Sequence, residues 1–183
     1  MKITLQTPDE TMLADIAAYR ADMLAAGSSM DGTGPLRRFE DPRAWLEERR
    51  RGQFEETCPE GFVPATQLVA LDETGRIVGM LDIRHRFNDY LARYAGNIGY
   101  SVRPCARRQG VAAEMLRQAL PLAKEIGLER VLITCLEDNE GSRRTILKNG
   151  GVYESTVVET ETETGAGPAG RGEAEGCDRP WKA

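Results

Sequence analysis

The stretch from Asn97 to Ala123 constrains the fold more than any other part of the chain. It begins as a short apolar strand, Asn97-Ile98-Gly99-Tyr100-Ser101-Val102, and breaks at Arg103-Pro104. A basic glycine turn follows, Arg107-Arg108-Gln109-Gly110-Val111-Ala112. Val111, Met115, Leu116, Ala119, Leu122 and Ile126 then recur at helical spacing. A strand that feeds a basic turn at a helix N-terminus is a device for holding phosphate. The N–H groups of the first helical turn have no partner within the helix and point at the anion, and the helix dipole favours negative charge there. Gly110 lets the backbone approach a ligand where a Cβ would stand in the way. Arg107 and Arg108 add long-range attraction and forked hydrogen bonds. Two positive charges at a helix start oppose the dipole, a small penalty that a bound anion would remove. The expected ligand carries a pyrophosphate.

The residues Arg107-x-x-Gly110-x-Ala112, following Val102-Arg103-Pro104, resemble the acetyl-CoA pyrophosphate loop of the GNAT superfamily of N-acetyltransferases. The similarity runs from Thr66 to Val158 and includes Asn139, Ser142 and Asn149-Gly150-Gly151. It implies an α/β fold of the α+β type: a mixed, mostly antiparallel central sheet, helices on both faces, and a splayed parallel strand pair that admits the cofactor's pantetheine arm. It implies acetyl-CoA as co-substrate, held by Val102, Arg107, Arg108, Gln109, Gly110, Val111, Ala112, Asn139 and Ser142. In that family the asparagine matched by Asn139 bonds the pantetheine arm, although Asn139 also reads as a helix N-cap. Ser142 matches a position where the cofactor needs a short side chain beside it. Many members place a tyrosine in the following helix to protonate the leaving thiolate, and the matching residue here is Ile146. The run His85-x-x-Asn88-x-Tyr90-Leu91 is similar to one in a bacterial subgroup of the superfamily.

A chain of 183 residues suits one domain with a core of its own. Residues 1–163 read as a single N-acetyltransferase-like domain and 164–183 as a disordered or atypical tail. A formal net charge of −5 argues against a nucleic-acid binder that relies on bulk positive charge. The four cysteines form no C-x-x-C pair, and with one histidine in the chain no metal site is expected. They read as free thiols of a reducing compartment. With no transmembrane-length apolar run and no signal-peptide layout, the expected location is the cytoplasm, away from membranes.

Along the chain, Lys2–Gln6 alternates as a strand would. Thr7-Pro8-Asp9-Glu10 offers a hydroxyl-capped helix start, and Met12, Ile16, Tyr19 and Met23 share one helical face up to Gly27. Ser28–Pro35 is a glycine-rich loop, and Asp41-Pro42 opens a second helix whose Arg49-Arg50-Arg51 run reads as a solvated face. Gly52–Pro64 is irregular and is expected to be part of an acceptor wall or a plain connector. Thr66–Leu71 and Arg76–Ile83 flank Asp72-Glu73-Thr74-Gly75, a hairpin signal. Pro121 should kink or shorten the central helix, and Gly127 should close it with Leu128 folding back. Val131–Cys135 reads as a strand parallel to the one beginning at Asn97. A short helix follows over Asn139–Lys148, then a strand over Val152–Glu159. After it the composition turns to Gly, Ala, Glu and Thr, so disorder is expected from about Thr164. The last apolar strand of the family is not found, which leaves an edge to be covered by an altered C-terminus or a partner subunit, possible in a homodimer.

The resemblance implies direct acetyl transfer to a small-molecule or peptide amine. A backbone N–H near Val102 would bond the thioester oxygen, and juxtaposition of two substrates would supply much of the rest. His85, with an ordinary pKa of about 6.5, suits a base that takes a proton from an ammonium, although a strand-end histidine also serves structure. Asp82 and Glu154 are carboxylates that would act through water. Cys105 lies beside the basic turn, where a thiol's pKa falls, or is incidental in a loop. The rival reading is a non-catalytic CoA or acyl-CoA sensor or partner-binding module on the same fold, and amine-dependent thiol release separates the two. A domain for another nucleotide is disfavoured by the lack of a Walker lysine and a Rossmann glycine set.

Overall fold

The computed structural model describes residues 1–159 and 180–182. Four antiparallel strands form the first sheet in the order β1 (Thr4–Gln6), β2 (Ala65–Leu71), β3 (Ile77–Arg84) and β4 (Ile98–Val102). The β2–β3 hairpin closes at Asp72, whose carboxylate accepts from the N–H groups of Thr74 and Arg76. One face of this sheet carries α1 (Leu13–Ala25) and α2 (Pro42–Arg51), and the other carries α3 (Val111–Glu125) and α4 (Glu140–Lys148). The helices bury the stripes the spacing predicts: Ile16, Tyr19 and Met23 of α1, and Val111, Met115, Leu116 and Ala119 of α3. Two apolar clusters result, one on each side of the sheet.

Local signals shift at several ends. The first N-cap is Asp9, not Thr7: its carboxylate accepts from Thr11 N–H and opens a 3₁₀ turn, Glu10–Met12, ahead of α1. Pro121 neither ends nor shortens α3, which continues to Glu125. Gly127 at φ 99° then closes it, with Leu128 N–H donating to Ala123 C=O. In the triple-arginine run only part is solvated. Arg50 pairs with Glu10, whereas Arg49 is buried and packs beside Gly34 and Gly52 with Glu48 as its ion partner. The connection after His85 contains a π-helical turn, Leu91–Ala95, opened by Asn88 accepting from Leu91 N–H.

A second sheet has the order β5 (Leu132–Thr134), β7 (Pro180–Lys182), β6 (Val152–Tyr153), all antiparallel. This corrects the expectation that the last strand is missing. It is present at Pro180–Lys182 and pairs on both sides, so two ladders of backbone hydrogen bonds hold a segment that no apolar run announces. The strand expected over Val152–Glu159 is only two residues long. The expected disorder from Thr164 to residue 179 lies outside the described residues.

β4 and β5 belong to different sheets and share no ladder, antiparallel or parallel. They meet only at their starts, through an isolated bridge between Gly96 and Ile133. Asn97 holds this junction: its N–H donates to Leu132 C=O at 2.7 Å, its Oδ1 accepts from Leu132 N–H at 2.9 Å, and its Nδ2 donates to Arg84 C=O. Both strands run away from that point, leaving a V-shaped gap. Asn97 is 1% exposed. Asn97→Ala strands a buried donor and a buried acceptor, so a stability loss of about 2 kcal/mol is expected in urea unfolding. An unchanged midpoint would show that the backbone bond alone holds the junction.

Candidate active site

The phosphate turn sits at the wide end of the gap. After β4, Pro104–Ala106 makes a 3₁₀ turn, Arg108 takes φ 60°, and Gly110 takes φ 80° as the residue capping α3. No side chain caps α3. Among the described residues, the backbone N–H groups of Arg108, Gln109, Gly110, Val111, Ala112 and Ala113 donate to no acceptor. A Cβ on Gly110 would meet no atom within 4 Å. The turn is therefore an open cradle of donors at a helix start, which fits a pyrophosphate.

The two arginines divide their work. Arg107 folds back, donating from Nε to Val102 C=O at 3.0 Å and from a terminal nitrogen to Ser28 Oγ at 2.7 Å. It ties the turn to β4 and to the end of α1. Arg108 is exposed and forms no ion pair among the described residues, so its guanidinium is available. Gln109 braces the turn by donating to Cys105 C=O. Val111 is buried as the first apolar residue of α3, and Ala112 follows half-buried.

Arg84 N–H donates to Asn97 C=O and Arg103 N–H to Val78 C=O, so by the alternation of the ladder Ile98, Tyr100 and Val102 turn their N–H groups away from β3, on the side of the gap. Asn139 caps α4, its Oδ1 accepting from Ser142 N–H at 3.0 Å. Ser142 Oγ lies 2.7 Å from the hydroxyl of Tyr100. Ile146 is fully buried and offers no exchangeable proton. Arg103, which the sequence did not single out, anchors the strand end: it is 1% exposed and donates to Asp22 at 2.6 Å, Asp15 at 2.9 Å and Ile77 C=O at 2.8 Å.

His85 lies at the other end of β4, beyond the last residue of β3. Five strand residues separate it from the phosphate turn, roughly 17 Å. Its Nε2 is 2.8 Å from Thr66 Oγ1, and burial holds its pKa below the ordinary value, against the smaller opposing pull of Glu55. It shares a surface depression with Gln53, Phe54, Glu55, Glu56, Pro64 and Arg86, the first five of which come from the irregular Gly52–Pro64 loop. Glu55 is engaged by Arg86 at 2.6 Å. Of the other carboxylates, Asp82 is buried, accepts from Gly99 N–H and pairs with Arg84, while Glu154 is exposed. Cys105 is an exposed free thiol.

The model of the acetyltransferase (GNAT) domain matches residues 2–152. The chain belongs to the GNAT family. Solved structures with the same fold include a ribosomal-protein-S5-alanine acetyltransferase from Vibrio fischeri, 15% identical, TM-score 0.69, covering 100% of this chain and 93% of that one. An N-acetyltransferase from Staphylococcus aureus Mu50 is 16% identical at TM-score 0.66, covering 100% and 98%. A spermidine N-acetyltransferase from Vibrio cholerae, in complex with CoA and spermine, is 15% identical at TM-score 0.63, covering 99% and 94%. At these identities the likeness carries the fold and not the substrate. No curated protein matches this GNAT chain. No helix among its described residues is long and apolar enough to cross a membrane.

Proposed function

We propose that this GNAT protein transfers the acetyl group of acetyl-CoA to a primary amine by direct attack in a ternary complex. The observation that carries the reading is the open cradle at Arg108–Ala113, whose unpaired N–H groups end one arm of a V-shaped gap. In it, Gly110, Val111 and Ala112 would hold the pyrophosphate through backbone, with Arg108 reaching over it. Asn139 and Ser142 would border the pantetheine arm, and Val102 N–H would bond the thioester oxygen, stabilising charge that develops there. Bound acetyl-CoA supplies the activated carbonyl, and the chain supplies position and a dry gap. The acceptor would approach from the His85 end, a small-molecule or peptide amine.

Calorimetric titration of acetyl-CoA, with dephospho-CoA and ATP as comparisons, tests the cofactor. An amine screen read by free-thiol release tests the turnover. Binding of acetyl-CoA but not ATP, with amine-dependent thiol release, is the expected result. Binding with no release by any amine would favour a CoA sensor.

His85 is the proposed base. Burial lowers its pKa from 6.5, so the neutral, proton-accepting form persists to below that value and is lost only as pH falls further. His85→Ala is expected to cut turnover about tenfold or more near pH 7. The deficit should shrink at high pH, where the amine sheds its proton to solvent. An equal rate for variant and parent across the profile would remove His85 from the reaction.

A further inference from the structure

The loop between α1 and α2 is seated on the first sheet at its last strand. Gly32, at φ 74°, lies so close to the Gly99–Tyr100 peptide of β4 that an added Cβ would overlap Gly99 C=O. Gly99 leaves room for this approach, since a Cβ there would stand 2.9 Å from the Gly32 nitrogen. Three buried hydrogen bonds fix the seat. Gln67 Nε2 donates to Gly32 C=O at 2.8 Å, Thr33 Oγ1 to Met30 C=O at 2.7 Å, and Trp45 Nε1 to Thr33 C=O at 2.8 Å. Met30, Gly32 and Thr33 are buried, and Asp31 among them is exposed. A carboxylate is thus carried on backbone pinned from both sides, over the strand that borders the gap.

Its charge is not neutralised. Among the described residues Asp31 forms no hydrogen bond and no ion pair. Arg84, whose guanidinium also reaches Gly99, is committed to Asp82 at 3.4 Å and to the carbonyls of Ala95 and Gly96. Arg84 and Asp82 cancel, so the net charge at this level of the strand is that of Asp31. Its field reaches the Tyr100 phenol on the other face of β4, the strand that ends its sheet. An exposed aspartate is by default a solvated group. What sets Asp31 apart is a fixed seat beside the gap.

Acetyl transfer gives such a charge a use. The attacking nitrogen must first give up a proton, which the proposed base His85 takes, so that its electron pair can form the new bond. A carboxylate touching that nitrogen would hold the proton on. Asp31 is better matched to a cation that does not react. With the thioester oxygen at Val102 N–H, the Gly99–Tyr100 peptide lies two to three residues back towards His85, roughly 7–10 Å along the strand. Two nitrogens on a four-carbon chain, with one hydrogen bond added, cover that span. Resting on the N-acetyltransfer reading, we propose that Asp31 binds a second cation of the acceptor. The preferred acceptor is then an amine with an ammonium or guanidinium a short aliphatic chain away from the nitrogen that is acetylated.

The test sets n-butylamine against the four-carbon α,ω-diamine on the full chain, by thiol release and by calorimetric binding to the CoA complex. The parent is expected to favour the diamine about tenfold in KM and in Kd, as for one hydrogen bond between charged partners. Asp31→Asn should erase that preference by raising the diamine's KM far more than the monoamine's, the change falling on KM rather than kcat. Asp31→Glu, which keeps the charge, should retain most of it. Added salt should raise the parent's KM for the diamine and leave that of Asp31→Asn flat. A residue that only shapes the loop would show no such difference in salt response. Equal handling of the two amines by the parent in both assays, or a preference that survives in Asp31→Asn, would overturn the assignment of Asp31 alone. A parent chain that binds acetyl-CoA yet releases no thiol with any amine would overturn the N-acetyltransfer reading, and the assignment with it.

Discussion

Gly110→Val is expected to raise the Kd for acetyl-CoA by at least about 100-fold, equivalent to roughly 2.7 kcal/mol. Two effects act together. Gly110 has φ 80°, a conformation that costs a β-branched residue about 1–3 kcal/mol, so the turn would relax and its N–H groups would lose their common aim. The added side chain would also project into space that no protein atom fills. That is the space a phosphate needs. Gly127 provides the control. It ends the same helix at φ 99°, and a Cβ there also meets nothing within 4 Å. Gly127→Val should therefore lower stability by a similar amount and leave acetyl-CoA affinity unchanged. Equal affinities for Gly110→Val and the parent, measured on folded protein, would refute the phosphate turn.

Arg103→Ala is expected to cost about 3 kcal/mol of stability. The guanidinium is nearly inaccessible, yet it serves two carboxylates and one carbonyl and lies 5.8 Å from the centre of the Tyr19 ring. Asp15 and Asp22 are 28% and 45% exposed, so water can partly replace what they lose, and the estimate is set below the upper range for buried pairs. Ile77 C=O has less recourse. Arg103→Lys should recover little, because one ammonium cannot reproduce a fork that spans both carboxylates. The readout is the urea midpoint. A shift under about 0.5 kcal/mol would mean that β4 and α1 are held by their apolar contacts alone.

The sequence announced the parts of the site that depend on local chemistry. A glycine at positive φ, arginines beside it and an apolar helical stripe behind it can be read within a single stretch of chain. The hairpin at Asp72 and the caps at Asp41 and Asn139 are legible for the same reason, since each side chain bonds N–H groups two or three residues away. What escaped depends on distant partners. Asn97 reads as an ordinary strand start until Leu132, 35 residues on, is laid against it. Arg103 looks like a break before proline, and its partners lie 81 and 88 residues back. Tyr100 reads as one more strand aromatic, and only the placing of α4 shows that its hydroxyl meets Ser142. The strand at Pro180–Lys182 has the weakest signal, because its backbone ladders run to strands much earlier in the chain.

The division of the core into two apolar clusters has a consequence for how the molecule breathes. The first sheet is a shared wall, with α1, α2 and the loop between them on one side and α3 and α4 on the other. Releasing the α1–α2 arm would expose Ile16, Tyr19, Met23 and Trp45 but leave the packing around Met115, Leu116 and Ile83 intact. Amide hydrogen exchange should therefore resolve two cooperative units, the arm opening at lower free energy than α3 and its strands. Arg103 and Arg107 tie the arm to the phosphate end of β4. Ligand held at that end should then slow exchange in the arm, although the arm need not touch it.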